Sequence, residues 1–392
     1  MVEAGEGERE AAMARAERAM AVLLDDEPDE DLAIVAATLA FAYWFGGDLE
    51  RASERVELAL DIAEAHAYPE ALARALRAKA GILRSRGHVE ESTALLTRSL
   101  EIALEHDIVG EASTTYYWLS DRCFQRDAYA EALGLLDEAL AHTRRMGSRP
   151  QEWAVLAEQT YPLMMLGRWD EAHAVASEFS QEQVDSGGTM LSLLQSSVEI
   201  DVQRGDLEAA RRALQMFARI EHSSDLQELG SFLGARAALR RAEGKLDEAL
   251  VDAEATIEAS STFGLDAQGG KQGVSEALEA AFALGNSAKV EQLIGSIEAI
   301  PAGRRPPYLD AQALRFRAKL IGDGAGLDAA ATRFRELQLP FHLAVTLLEQ
   351  AELGSSEAEP LLAEATEIFE RLEAMPWLER ARRSASADAL VS

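Results

Sequence analysis

The stretch Gly47-Asp48-Leu49-Glu50-Arg51-Ala52 decides the fold, because it comes back along the chain. It returns as GHVEES from Gly87, DAYAEA from Asp127 and GRWDEA from Gly167. It continues as GDLEAA from Gly205, GKLDEA from Gly244, a degenerate GNSAKV from Gly285 and GLDAA from Gly326. The third position falls at Leu49, Val89, Tyr129, Trp169, Leu207, Leu246, Ser287 and Leu327, at intervals of 40, 40, 40, 38, 39, 41 and 40 residues. A sustained period of this size is the mark of a repeat architecture.

Working outward from the motif, the first four units align without a gap. A small residue recurs at Ala52, Ser92, Ala132 and Ala172. Four residues on come Val56, Leu96, Leu136 and Ala176, and four further on Leu60, Leu100, Leu140 and Ser180. That spacing is one face of an α-helix. The small residue lets a neighbouring helix approach, and the larger ones fill the space between. A second helical stretch precedes each turn, at residues 32–46, 70–86, 110–126 and 151–166; in the first, Leu32, Val35, Ala36 and Leu39 make one apolar face. Glycine supplies the sharp turn, since it tolerates positive φ. Each unit therefore reads as two helices that bury their faces only by stacking on neighbours. The fold class this implies is all-α, a right-handed α-solenoid of eight to nine helix-turn-helix repeats.

This pattern resembles the tetratricopeptide (TPR) repeat in its Gly-x-Tyr-x-x-Ala turn and second helix, with units nearer 40 than 34 residues. A second resemblance lies at the C-terminus, which reads LPFHLAVTLLEQAEL from Leu339 and AEPLLAEATEIFERLEAMPWLERA from Ala358. This looks like the closing segment of bacterial, notably actinobacterial, proteins that join a nucleotide cyclase or STAND-type ATPase to helical repeats. The matching residues are Phe369, Leu372, Pro376, Trp377, Arg380 and Ala381. In LuxR-type members a DNA-binding helix-turn-helix follows this segment; the present sequence runs only to Ser392. No cyclase or ATPase activity is carried over by the resemblance.

The expected organisation is a capping or half repeat at 1–24, TPR-like repeats at 32–300, a Pro-rich hinge at 301–307, further repeats and a cap at 308–383, and a disordered tail at 384–392. Ala12, Ala16 and Met20 occupy the places of Ala52, Val56 and Leu60. The sequence thus starts in the second helix of a repeat, either as a natural cap or as part of a longer protein. The acidic run at 25–31 and the stretch GLDAQGGKQG at 264–273 read as loops, and Pro162 should kink its helix.

Composition narrows the function classes. With 38 Lys and Arg against 68 Asp and Glu, the net charge is -30. Such a charge repels phosphates and anionic headgroups, so direct nucleic-acid binding and membrane binding are not expected. The single cysteine, Cys123, makes neither an internal disulfide nor a cysteine zinc site, and it occupies an apolar repeat position. The start, MVEAGEGERE, lacks a signal-peptide pattern, so the expected location is cytoplasmic.

A search for chemistry finds no enzyme constellation. Around Gly270-Lys271 a phosphate loop would need glycine at Leu265 and Ser or Thr at Gln272, and it has neither. None of the seven histidines makes an i, i+4 pair, so no metal is expected. The carboxylate pairs Glu90-Glu91, Asp170-Glu171 and Asp247-Glu248 open second helices, where they offset the helix dipole. No cofactor is called for.

By the TPR resemblance, the first helix of each unit lines a groove. Its inward positions include Arg74, Arg77 and Arg84 in the second unit, Tyr117 and Phe124 in the third, and Tyr161 and Met164 in the fourth. The arginines either hold a carboxylate-bearing partner or pair with neighbouring acids. The aromatics and Met164 either offer apolar contact surface or pack helix on helix. The expected function is a non-catalytic scaffold for a protein or peptide partner, the regulatory arm of a bacterial signalling system. Two alternatives stand beside it: a ligand-responsive transcriptional regulator lacking its own DNA-binding domain, and an enzyme whose site crosses distant repeats.

Overall fold

The computed structural model describes residues 2–25, 27–186, 190–262, 264–354 and 358–391. Among these there are twenty-one α-helices, three 3-10 turns and no strand. Helix α1 (Val2–Leu23) stands alone and nine helix-turn-helix pairs follow. They are α2 (Glu30–Phe45) with α3 (Leu49–His66), α4 (Pro69–Ser85) with α5 (Val89–Glu105), α6 (Val109–Gln125) with α7 (Tyr129–Met146), and α8 (Arg149–Met165) with α9 (Trp169–Ala176). After the short α10 (Gln181–Ser186) come α11 (Leu191–Arg204) with α12 (Leu207–Met216), and α13 (Leu226–Ala242) with α14 (Leu246–Ala259). Next are α15 (Gln268–Ala283) with α16 (Ser287–Glu298), α17 (Pro307–Ile321) with α18 (Gly324–Glu336), and α19 (Pro340–Glu352) with α20 (Ala358–Leu372). The last is α21 (Met375–Val391). The fold is a TPR-like all-α repeat.

The turns explain the period. Gly47 sits at φ +83°, and Gly87, Gly167, Gly205, Gly244 and Gly285 repeat that left-handed conformation. The next residue commonly caps the second helix: Asp48, Asp206 and Asn286 each accept from the backbone N–H three residues on. Five residues past the turn the chain is sealed, with Ala52, Ser92, Ala132, Ala172, Ala210, Ala249 and Val290 all 1% exposed or less.

Two expectations need correction. In the eighth pair the left-handed residue is Gly322, with Asp323 capping, so the motif there starts four residues before Gly326. Leu327 then falls in the small position and is fully buried; it mimicked the third position of the motif only by coincidence of spacing. The stretch 264–273 is not all loop, since α15 starts at Gln268 and carries Gly270 and Lys271 inside it. The last helix, α21, runs to Val391, and Ser392 lies outside the described residues. Asp26 of the acidic run also lies outside them; Asp29 from the same run caps α2.

The chain forms two compact units: Met1–Arg122 with Gly134–Glu152, and Cys123–Leu133 with Trp153–Ser392. The Pro-rich segment at 301–307 falls inside the second unit. There Arg305 donates to the carbonyls of Glu298 and Ile300 and pairs with Asp310 at 2.8 Å.

In the first unit α2 packs on both α3 and α4, and α4 on α5. Met20 of α1 is buried in the same core. First helices meet through an aromatic cluster: Trp44 lies 5.2 Å from Trp118 and 5.6 Å from Phe41, centroid to centroid. Gly81 makes room for it, since a Cβ there would stand 2.9 Å from the Trp44 indole.

The second unit closes on itself. Its early turns meet its last helices: a Cβ on Gly205 would lie 3.0 Å from Pro376, and one on Gly167 would overlap Pro340. The Trp169 ring lies tilted 5.4 Å from Phe341, Arg204 donates to the Leu372 carbonyl at 3.2 Å, and Trp377 Nε1 donates to Gln203 Oε1 at 2.7 Å. The C-terminal residues Pro376 and Trp377 thus serve as the clasp that brings α21 onto α11.

Candidate functional site

Closing the second unit leaves a cavity of about 700 Å³, including the solvent at its mouth. Its walls come mainly from the first helix of each pair: Tyr161, Met164 and Met165 of α8, Gln195, Glu199 and Gln203 of α11, and Arg241 of α13. Across from these stand Lys271, Gln272, Ser275, Glu276 and Glu279 of α15 and Tyr308, Gln312 and Arg315 of α17. Phe341, His342 and Val345 of α19 and Trp377 of α21 complete it.

The charged walls are built from inter-repeat pairs. Arg241 grips Glu276 through Nε (2.7 Å) and an Nη nitrogen (3.1 Å). Arg315, 1% exposed, holds Glu349 at 2.6 and 2.7 Å, and Glu279 at 2.8 Å. Lys319 adds a 2.6 Å bond to Glu349. Lys271 pairs with Asp127, whose second oxygen accepts from the Tyr308 backbone N–H at 2.7 Å while Tyr129 OH donates to the first at 2.9 Å. Buried charges persist only when paired and hydrogen-bonded in this way.

Environment divides the acids. Burial would raise the Glu279 carboxyl, but Arg315, Lys319 and Arg241 outweigh it and hold the group well below the usual carboxylate range. Glu199 goes the other way: burial and the neighbouring Glu276 push it up to about 7. Its hydrogen bond comes from the Gln203 amide at 2.6 Å, and among the described residues no basic group lies within ion-pair distance. His342 is pushed down to about 3, by burial and then by Arg315, so it is neutral. Burial also raises the Tyr161 and Tyr308 hydroxyls.

The sequence-predicted residues divide between the two units. Tyr161 and Met164 line the cavity. Phe124 is 2% exposed and packs its ring against Tyr129 and Tyr161, so it is core rather than contact surface. In the first unit, Arg77 pairs with Glu111 through two nitrogens and lies 5.5 Å over Phe41 and 5.4 Å over Trp118. Arg74 pairs with Glu70 at 2.8 Å. For these two an acid on the same helix or on the next first helix takes up the charge. Arg84 is half-buried and Tyr117 is exposed. Three of the cavity residues that the sequence reading missed, Arg241, Glu276 and Arg315, carry a signal that the first unit also shows. Arg77–Glu111, Arg241–Glu276 and Arg315–Glu349 are each an Arg on one first helix and a Glu 34 or 35 residues later on the next.

Cys123 is 2% exposed and burial pushes its thiol up, as suits an apolar repeat position. Among the described residues no group of acids, histidines or cysteine is arranged to hold a metal ion, and no helix is long and apolar enough to cross a membrane.

No family model matches the sequence, and no curated protein matches it. Among solved structures, the chain is similar to BtubC (BKLC) from P. vanneervenii, at 16% identity and a TM-score of 0.39 over 65% of this chain and 92% of that one. It is also similar to the apo form of the quorum sensor NprR from B. thuringiensis, at 13% identity and 0.40 over 94% and 100%. The human IFIT1 dimer with m7Gppp-AAAA stands at 12% identity and 0.40 over 95% and 94%.

Proposed function

We propose that this chain is a non-catalytic binding scaffold whose second unit receives a peptide or small ligand in its cavity, as the regulatory arm of a bacterial signalling or transcription-regulatory system. The cavity carries the binding part of this reading. It is concave and sets seven aromatic, methionine or valine side chains among twelve polar or charged ones, so it can grip a ligand both by apolar contact and by hydrogen bonds. The regulatory part rests on the resemblance of the C-terminal segment to bacterial cyclase and STAND proteins. Pro376 and Trp377 of that segment clasp the unit, so a ligand gripped beside Trp377 would bear on the clasp and shift the unit between tighter and looser states.

The test is a thermal-shift and calorimetric screen of the full chain against short peptides and small organic ions, repeated on Met164→Trp, which fills the cavity. The reading expects hits whose stabilisation disappears in Met164→Trp while circular dichroism is unchanged. Hits that bind that variant equally well would place binding elsewhere and reject the reading.

A further inference from the structure

Resting on that cavity reading, we propose that the cavity takes a small organic cation, an ammonium or guanidinium carried on an apolar body, with Glu199 as its counterion.

Charge matching singles out this group. Around the cavity stand five carboxylates, Asp127, Glu199, Glu276, Glu279 and Glu349, and four bases, Lys271, Arg241, Arg315 and Lys319. Every base is bonded to an acid other than Glu199. An anionic ligand would have to compete with one of these buried ion pairs to find a partner, which is strongly unfavourable. A cation finds Glu199 already unmatched.

The same helix offers a second acceptor. Gln195 lies one turn before Glu199 on α11, is 1% exposed, and its Oε1 has no hydrogen-bond partner. Its amide nitrogen donates to Gln272 Oε1 at 2.5 Å, which fixes the amide. Gln203, one turn after, already spends its oxygen on Trp377 and its nitrogen on Glu199. Glu199 and Gln195 are therefore acceptors facing a demand for N–H donors, and an ammonium or guanidinium carries several. Met164, Phe341 and Val345 in the same walls cover an apolar body.

The experiment titrates the full chain with phenethylammonium, phenethyl alcohol and hydrocinnamate, matched in shape and differing in charge. A peptide arm compares phenylalanyl-leucine amide with its N-acetyl form. The expected result is that phenethylammonium binds and the alcohol and carboxylate do not, with affinity falling about tenfold or more in Glu199→Gln. Binding of the free-amine dipeptide alone would assign the cation to a peptide N-terminus and support the proposal; binding of the simple amine alone would assign it to a free amine and support it too. Equal affinity in folded Glu199→Gln, or preference for hydrocinnamate, overturns it. If hydrocinnamate binding is abolished by Met164→Trp, the cavity reading survives while the Glu199 assignment fails. If no probe of any charge binds, both fail. Should Glu199→Gln not fold, the three-probe comparison on the unaltered chain decides alone.

Discussion

The Asp127 carboxylate meets the Lys271 ammonium 144 residues further along the chain, with both side chains buried. Asp127 stands where other repeats have their turn glycine, at φ +61°. A non-glycine residue in that conformation is strained, and Asp is among the few that tolerate it. Its side chain is what the repeat gains by the exchange, since it fixes Lys271, Tyr129 and the start of α17 together.

Asp127→Asn tests this without disturbing the turn, because Asn also accepts the left-handed conformation. It leaves Lys271 buried and unpaired, so the loss should be about 3–5 kcal/mol in urea unfolding. Adding Lys271→Met removes the stranded charge and should restore a substantial part. If the double variant is no better than the single one, the ion pair is not what matters at this turn.

Arg77→Ala should act on stability and not on capture of a partner. It leaves Glu111, which is 4% exposed, with only Arg74 at 3.8 Å, and opens the stack between Phe41 and Trp118. The expected loss is about 3 kcal/mol, read from the unfolding midpoint. Arg77→Met should be milder, since it keeps the filling of the stack.

The period revealed the fold because one backbone need, a left-handed turn residue, recurs about every 40 positions and selects glycine in every unit but the third, where it is Asp127. The TPR resemblance, and not the period, supplied the face that the first helices present, which is how Tyr161 and Met164 were placed. The chemistry of that face was hidden. Glu111, Glu276 and Glu349 belong to different columns of the repeat from their arginines, so alignment never sets partners side by side. Lys271 read as a failed phosphate loop, and Asp127 as one more return of the motif, because their contact spans 144 residues. Gln195 and Glu199 lie after the first departure from the 40-residue interval, where gap-free alignment had ended.

Glu199 sets a pH dependence. Its ordinary value of 4.5 applies to the unfolded chain, and the folded value is about 7. Between the two, the folded state holds a proton that the unfolded state has lost. Stability therefore falls as pH rises through that window, and the loss is complete above the folded value. The groups that face it are Glu276, Glu279, Arg241 and the Gln203 amide. Asp201, raised to about 6 by burial, tilts the curve the same way and is untouched by the substitution. Glu199→Gln should thus gain on the unaltered chain at about pH 8 and show little difference at about pH 4 in urea midpoints. An equal gain at both would show that Glu199 does not titrate in this window.

The account turns on the second unit closing around its cavity, with α21 clasped to α11. Hydrogen exchange of the full chain and of Trp377→Ala measures this directly. The clasp predicts faster exchange both in α21 and in residues 195–204 of α11, by about tenfold, or about 1.4 kcal/mol of local stability. Exchange that quickens in α21 alone, with α11 unchanged, would contradict it.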